Sequence, residues 1–435
     1  MIKQVRTPLH YMDFHCIDTA CTDSCCAGWQ VDVDAVSWEK YKQVEGEFGA
    51  YMHSVMVEGH DGEEGQFRLR ADGRCPFLND CGLCDMYTAL GEESLCDTCT
   101  NYPRFMEDYG TLREVGLAFS CPEASRLILS DDTPMQFVLE EAEGAAKDSA
   151  AYDVMWRTRH MGVEEESYVA AEDGDFILHR EVVDQDYLDK LLICRETAFF
   201  IVQNRNFSIR DRIVLYLDYA MVLQNAIDHE EEISEVVAQY QKEAWLSKRL
   251  AILKQEQNEN AKNLELYEER VPETELKYQF LPEYIAILYQ DLKHCKPTWS
   301  GVLSEAEELL HKQKSAKEYA ACYDTFMEEM KDRSYEYEHL MSYFIFKYFL
   351  KAYFDDDVYG KVLLSVMGFL VIRELGVCQY VKQNGVFTKQ DQQELYHLYS
   401  RELEHSEENY DLIMDLLHTE HMCNGHYLMA LLLEG

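Results

Sequence analysis

The stretch Tyr337-Glu-His-Leu340-Met341-Ser-Tyr-Phe344-Ile345-Phe-Lys-Tyr348-Phe349 sets its large apolar side chains at i, i+3, i+4, i+7, i+8, i+11 and i+12. Residues three and four apart share a face of an α-helix, so this spacing predicts one long amphipathic helix. Ile213, Tyr216, Leu217, Ala220 and Met221 repeat the pattern, and Glu232 to Gln257 has the charged, small-residue composition of a solvated helix. No proline follows Pro297 to interrupt such elements. Sustained two-residue alternation is scarce, so few strands are expected. The reading is a mainly α protein whose aromatic stripes form its core, with roughly eight to twelve helices of about a dozen residues each.

The first third of the chain is different material. Ten of the 15 cysteines fall between Cys16 and Cys121, and glycine is concentrated there too. A loop-rich, irregular Cys-rich domain over residues 1–135, packed on a helical domain over 136–435, is expected, with the boundary in the acidic, small-residue stretch around Asp131-Asp132-Thr133-Pro134 and Glu-Glu-Ala-Glu-Gly-Ala-Ala. The cysteines are Cys16, Cys21, Cys25, Cys26, Cys75, the pair Cys81-x2-Cys84, the pair Cys96-x2-Cys99, and Cys121. Cys-x2-Cys lets two thiolates from one tight turn converge on a single centre, either a tetrahedral zinc or an iron–sulfur cluster. Spacing does not choose between them. Neighbouring side chains point in different directions, so Cys25 and Cys26 are expected to serve different places. The late cysteines Cys194, Cys295, Cys322, Cys378 and Cys423 are isolated and read as small buried hydrophobes.

Charge narrows the partners. Lys and Arg number 40 against 81 Asp and Glu, a formal charge of -41, which speaks against a nucleic-acid backbone or an anionic membrane surface. The first 14 residues carry no apolar stretch with a cleavage site, and Val362 to Ile372 falls short of the ~20 apolar residues a bilayer needs. A cytoplasmic protein is expected, with reduced thiols available for a metal.

Motifs then point to a family. Cys21-x3-Cys25-Cys26, Cys75-Pro-Phe-Leu, Gly82-x-Cys84 with Tyr87, and Cys99 followed by Tyr102-Pro103-Arg104 resemble the cysteine-cluster family described as zinc- or iron-chelating. The extended run Gly91-Glu-Glu-Ser-Leu-Cys96-Asp-Thr-Cys99-Thr-Asn-Tyr102-Pro103-Arg104, with Tyr399-Ser400-Arg401-x2-Glu404-His405-Ser406, is similar to the bacterial flagellin lysine N-methylase family. That resemblance implies methyl transfer from S-adenosylmethionine to lysines of flagellin, and a 4Fe-4S type iron–sulfur cluster held by the clustered cysteines. The alternatives are a non-catalytic zinc- or iron-binding interaction protein and an iron–sulfur redox protein.

The chemistry demands a deprotonated amine held in line with the sulfonium methyl. No Gly-x-Gly occurs, so the usual glycine-rich cofactor turn is missing. Tyr102 and Arg104 adjoin the last cysteine pair and are candidates to orient a cofactor carboxylate or a cluster sulfur, or else form a turn with a packed tyrosine. Arg401, Glu404 and His405 share a helix face, as a proton relay or as an internal salt bridge beside an imidazole. Asn204-Arg205, Arg210 and Arg212 form a basic island expected to neutralise nearby carboxylates.

Overall fold

The computed structural model describes residues 2–17, 20–29, 31–59, 65–141, 184–264, 278, 292, 297–404, 406–419 and 425–433. The chain forms two compact units, Met1–Leu127 with Gln136–Phe176, and Ile128–Met135 with Ile177–Gly435. His405, Cys295 and Cys423 lie outside the described residues.

The first unit is more regular than its composition suggests. A four-stranded sheet runs in the order β5-β6-β1-β7, from β1 (Gln4–Pro8), β5 (Arg104–Tyr109), β6 (Leu112–Leu117) and β7 (Phe137–Glu141). A second sheet joins β2 (Asp32–Val33), β4 (Gly65–Phe67) and β3 (Met56–Val57). The expectation of an irregular first domain is corrected here, while strands remain few and short beside the helices. The strands are short, and the buried central strand β6 carries Arg113 and Glu114, which hides its apolar pattern. Arg113 is tolerated because Asp108, its cross-strand neighbour, accepts two hydrogen bonds from it at 2.7 and 2.9 Å.

Gly110, at φ 61°, opens the two-residue turn of the β5–β6 hairpin. Gly116 has a different reason. The Phe105 ring lies across it from the paired strand, and a Cβ there would meet that ring at 2.3 Å. Gly116→Ala is expected to destabilise the first unit by about 1–3 kcal/mol through overpacking, measurable by urea unfolding. A fully neutral substitution would mean that the ring is not seated there.

The second unit is helical, built around Val358–Lys382. This helix packs against Ile209–Asp228, Tyr335–Tyr348, Lys389–Glu404 and Glu407–Thr419. By length and composition it could cross a membrane, but 94% of its apolar window is buried inside the fold, as in a core helix. The helix predicted from Tyr337 onward forms, as Tyr335–Tyr348. It is not amphipathic in use, however, because Glu336, Glu338, His339 and Ser342 are buried along with the aromatic stripe. Glu232 to Gln257 likewise divides into Ile233–Tyr240 and the start of Glu243–Leu264, and buries Val237, Tyr240, Leu246, Leu250 and Leu253.

Asp357 caps the core helix by accepting a hydrogen bond from the Gly360 N–H at 2.7 Å. Burial alone would raise its pKa, but His418 at 3.1 Å, Lys361 at 3.5 Å and the cap hold it below the usual range. The same hydrogen bond raises the pKa of His418. Asp357's contribution is therefore present above about pH 4 and lost as pH falls through its lowered folded pKa, while His418's is present below about pH 6.5 and lost as pH rises through its raised one. Asp357→Asn, which can still cap, is expected to flatten the stability profile in both windows. An unchanged profile in urea titrations from pH 3 to 8 would refute the pairing.

Candidate functional site

Nine of the ten early cysteines divide between two neighbourhoods in the first unit. Cys75 and Cys96 are buried in an apolar cluster with Val31, Val33, Phe67 and Phe77, and Cys26, Cys84 and Cys99 pack against it. Local turns bring them together. The Cys75 N–H donates to the Cys26 carbonyl at 2.8 Å, joining segments far apart in sequence. Asn79 folds the Cys81-x2-Cys84 turn, its side-chain oxygen accepting from the N–H groups of Cys81 and Leu83, both at 3.0 Å. Asp34 caps helix Ala35–Lys42 through the Ser37 N–H and also accepts from the Asp97 N–H at 3.0 Å, at the start of helix Asp97–Asn101 that carries Cys99.

The second neighbourhood holds Cys16, Cys21, Cys25 and Cys121. Burial first, and then Cys21 and Cys16, push the Cys121 thiol up to about 11 against the N–H groups of Ala124 and Glu123. A hydrogen bond with Cys26, burial, and the charges of Cys26, Cys16 and Cys121 raise Cys25. In the first neighbourhood, burial raises Cys75 to about 12, with Cys26, Cys84 and Cys96 adding to it, and Cys99 is raised by Cys96 and by burial. Cys25 and Cys26 thus touch each other while facing different groups. Cys81 is exposed, and neither neighbourhood claims it.

Soft sulfur donors of this number suit zinc or an iron–sulfur centre. Among the described residues, however, no three Cys, His, Asp or Glu side chains are gathered tightly enough to hold a metal ion as they stand. The fold supplies two pools of donors rather than a closed cage.

Tyr102 and Arg104 adjoin Cys99 in sequence, but their side chains turn to the second pool. Tyr102 donates to the Ser120 carbonyl at 2.6 Å, packs with Cys121, and lies 5.9 Å from Trp29, whose indole N–H donates to the Cys25 carbonyl at 2.7 Å. Arg104 opens β5, donates to the Tyr11 hydroxyl at 3.1 Å, and sits over the rings of Tyr11 and Phe14. The Pro103 carbonyl is held by the Ala118 N–H at 2.8 Å, so the hairpin fixes this corner. Burial raises the Tyr11 pKa, and Arg104 opposes it.

Glu404 belongs to the second unit, where its side chain is almost fully buried. It accepts from the hydroxyls of Tyr343 at 2.7 and 2.8 Å, Tyr348 at 3.1 Å and Ser400, and pairs with Lys347 at 3.0 Å. The Lys347 ammonium also faces the Tyr343 and Tyr348 rings at 5.8 and 5.7 Å. Burial, and then Glu404, keep Tyr348 protonated as a donor. Sequence spacing suggested Arg401 as the neighbour of Glu404. The cation found on it is Lys347, from a different helix. The basic island neutralises a carboxylate as expected: Arg205 and Arg212 both bind Glu338.

The first unit is thiol-rich and the second helical, with a lysine, a carboxylate and two tyrosines clustered in the helical one. The family model described as FliB lysine N-methylase C-terminal domain matches residues 195–431, just over half of the chain, and the chain belongs to that lysine N-methylase family. It is 31% identical over 135 residues to proteins named lysine-N-methylase from Salmonella choleraesuis and Salmonella typhimurium, a stretch that is 30% of this chain and 34% of each relative. It is 30% identical, again over 135 residues, to the flagellar biosynthetic protein FliU of Salmonella muenchen, covering 30% of this chain and 80% of that one. The match therefore spans about a third of the two lysine-N-methylases. No solved structure matches the chain.

Proposed function

We propose that this protein transfers methyl groups from S-adenosylmethionine to lysine side chains of flagellin. Membership of the lysine N-methylase family carries the reading. The net charge of -41 supports it, because a negative surface steers a lysine-bearing partner and loses that pull as salt rises. In this reading the two cysteine pools of the first unit hold an iron–sulfur cluster, with zinc as the alternative metal. When bound, the cluster would supply a Lewis-acidic, redox-capable centre.

The chain's own residues bind and orient. Arg104 offers guanidinium donors beside the Cys121 pool, and Tyr102 braces that corner through the Ser120 carbonyl. In the second unit, Glu404 is the proton acceptor of the proposal, reached through the Tyr343 and Tyr348 hydroxyls, with His405 next to it in sequence. The way Lys347 is already held, between a carboxylate and two tyrosine faces, is the chemistry that would receive a lysine ammonium.

Incubating the full chain with purified flagellin and methyl-labelled S-adenosylmethionine tests this. Label recovered as N-methyl-lysine is the expected result. A stoichiometric complex without label would favour the metal-binding interaction protein, and a reversible redox couple indifferent to S-adenosylmethionine would favour the electron carrier.

A further inference from the structure

The helical unit buries a cation whose Nε and Nη1 meet no hydrogen-bond acceptor among the described residues. Arg373, on Val358–Lys382, is 3% exposed, yet its Nε and Nη1 find no hydrogen-bond acceptor, and no carboxylate pairs with it among the described residues. The adjacent Glu374 is already engaged, with His311 Nε2 at 2.6 Å and the Tyr319 hydroxyl at 2.7 Å. The guanidinium carbon instead lies 4.8 Å from the Tyr323 ring centre and 5.5 Å from that of Phe369.

A second orphan lies nearby. The Tyr337 hydroxyl is fully buried and has no hydrogen-bond partner among the described residues, and its ring meets Phe369 edge-on at 5.2 Å. That hydroxyl is 3.6 Å from the position a Cβ would take at Gly376, one helical turn beyond Arg373. His311 Nδ1 is a third buried polar atom without a hydrogen-bond partner among the described residues, on the segment Glu307–Lys312, a π-helical turn of a kind often found at functional sites.

Buried polar groups are ordinarily satisfied, and an unpaired buried guanidinium is the costliest exception. Rings stacked on a guanidinium cover its faces and leave its edge N–H groups free. The planar fork of those donors matches a carboxylate. A tyrosine hydroxyl beside it supplies one more donor.

We propose that Arg373 and Tyr337 form a binding site for the carboxylate of a small molecule. A free carboxylate such as acetate has this chemistry, and so does the amino-acid end of S-adenosylmethionine. The second source rests on the function proposed above, whereas the site itself does not.

Calorimetric and thermal-shift titrations of the full chain with sodium acetate, S-adenosylmethionine and decarboxylated S-adenosylmethionine test the proposal against Arg373→Met. Saturable binding of a carboxylate probe, weakened more than about thirty-fold in the variant, is the expected result. A preference for S-adenosylmethionine over its decarboxylated form identifies the methyl donor as the source. Binding of acetate with no such preference keeps the site and assigns it to another carboxylate. Should Arg373→Met not fold, Tyr337→Phe removes only the hydroxyl and is expected to weaken binding about ten-fold, the size of one hydrogen bond. If no carboxylate probe binds in a way that depends on Arg373 or Tyr337, the orphaned donors are met by water and the proposal is overturned.

Discussion

Serine in place of Cys96 is expected to strip metal from the amino-terminal unit and to reduce methyl transfer to below about a hundredth of the parent rate, beyond the range seen when only an outer-shell partner is lost. Cys96 is 1% exposed, and its thiol lies within one apolar cluster with Cys26, Cys75, Cys84 and Cys99. Serine nearly preserves the size, but it replaces a soft donor with a hard, weakly acidic oxygen that neither zinc nor iron–sulfur centres favour. Cys121→Ser asks the same of the other pool. Cys194→Ser and Cys378→Ser are the controls, since both thiols are buried in the helical unit and should cost folding stability without altering metal content. Iron, acid-labile sulfide and zinc measured on anaerobically purified protein read the result. Iron matched by sulfide in the parent, lost in Cys96→Ser or Cys121→Ser, supports a cluster in the corresponding pool. Zinc without sulfide assigns the pools to zinc, and full metal content in both variants would remove the thiols from any metal role.

Glu338→Ala is the second large effect, expected to destabilise the helical unit by about 3–5 kcal/mol. Glu338 is fully buried and accepts from Arg212 at 2.6 Å and from Arg205 at two distances of 2.9 Å. Arg212 is 2% exposed, so the deletion leaves a buried cation with only the Val202 carbonyl, at 2.7 Å, among these contacts. The Arg205 side chain is 40% exposed, and Arg205→Met should cost under about 1 kcal/mol because water replaces what is lost. Urea unfolding of the two variants separates them. Equal, small effects would mean that the buried pair is not formed.

The same residues explain what could be read beforehand. The helix from Tyr335 was legible because its apolar spacing is local. The burial of its polar residues has no such local signal because their partners are distant in sequence: Glu338 meets Arg212, His339 meets the carbonyls of Ile128 and Thr133, and Tyr343 meets Glu404. A polar side chain satisfied from another helix has no periodic signature. The Arg205 and Arg212 island could be assigned to a carboxylate by charge alone, though not to Glu338 in particular.

In the first unit, cysteine spacing announced soft donors, and the adjacent Cys25-Cys26 pair signalled two directions. The division into two pools depends on long-range pairings such as the hydrogen bond from Cys75 to Cys26 and on the double cap by Asp34, which no spacing encodes. The sheets were hidden for a related reason. Strands as short as Asp32–Val33 are too brief to alternate, and β6 spends two of its buried positions on charged residues.

Methyl transfer itself is tested most directly by the mass of flagellin produced together with this protein, compared with flagellin produced alone. The account predicts a mass increase in whole methyl steps, mapped by peptide analysis to lysine side chains. Flagellin of unchanged mass, recovered beside folded protein whose metal content has been measured, would contradict it.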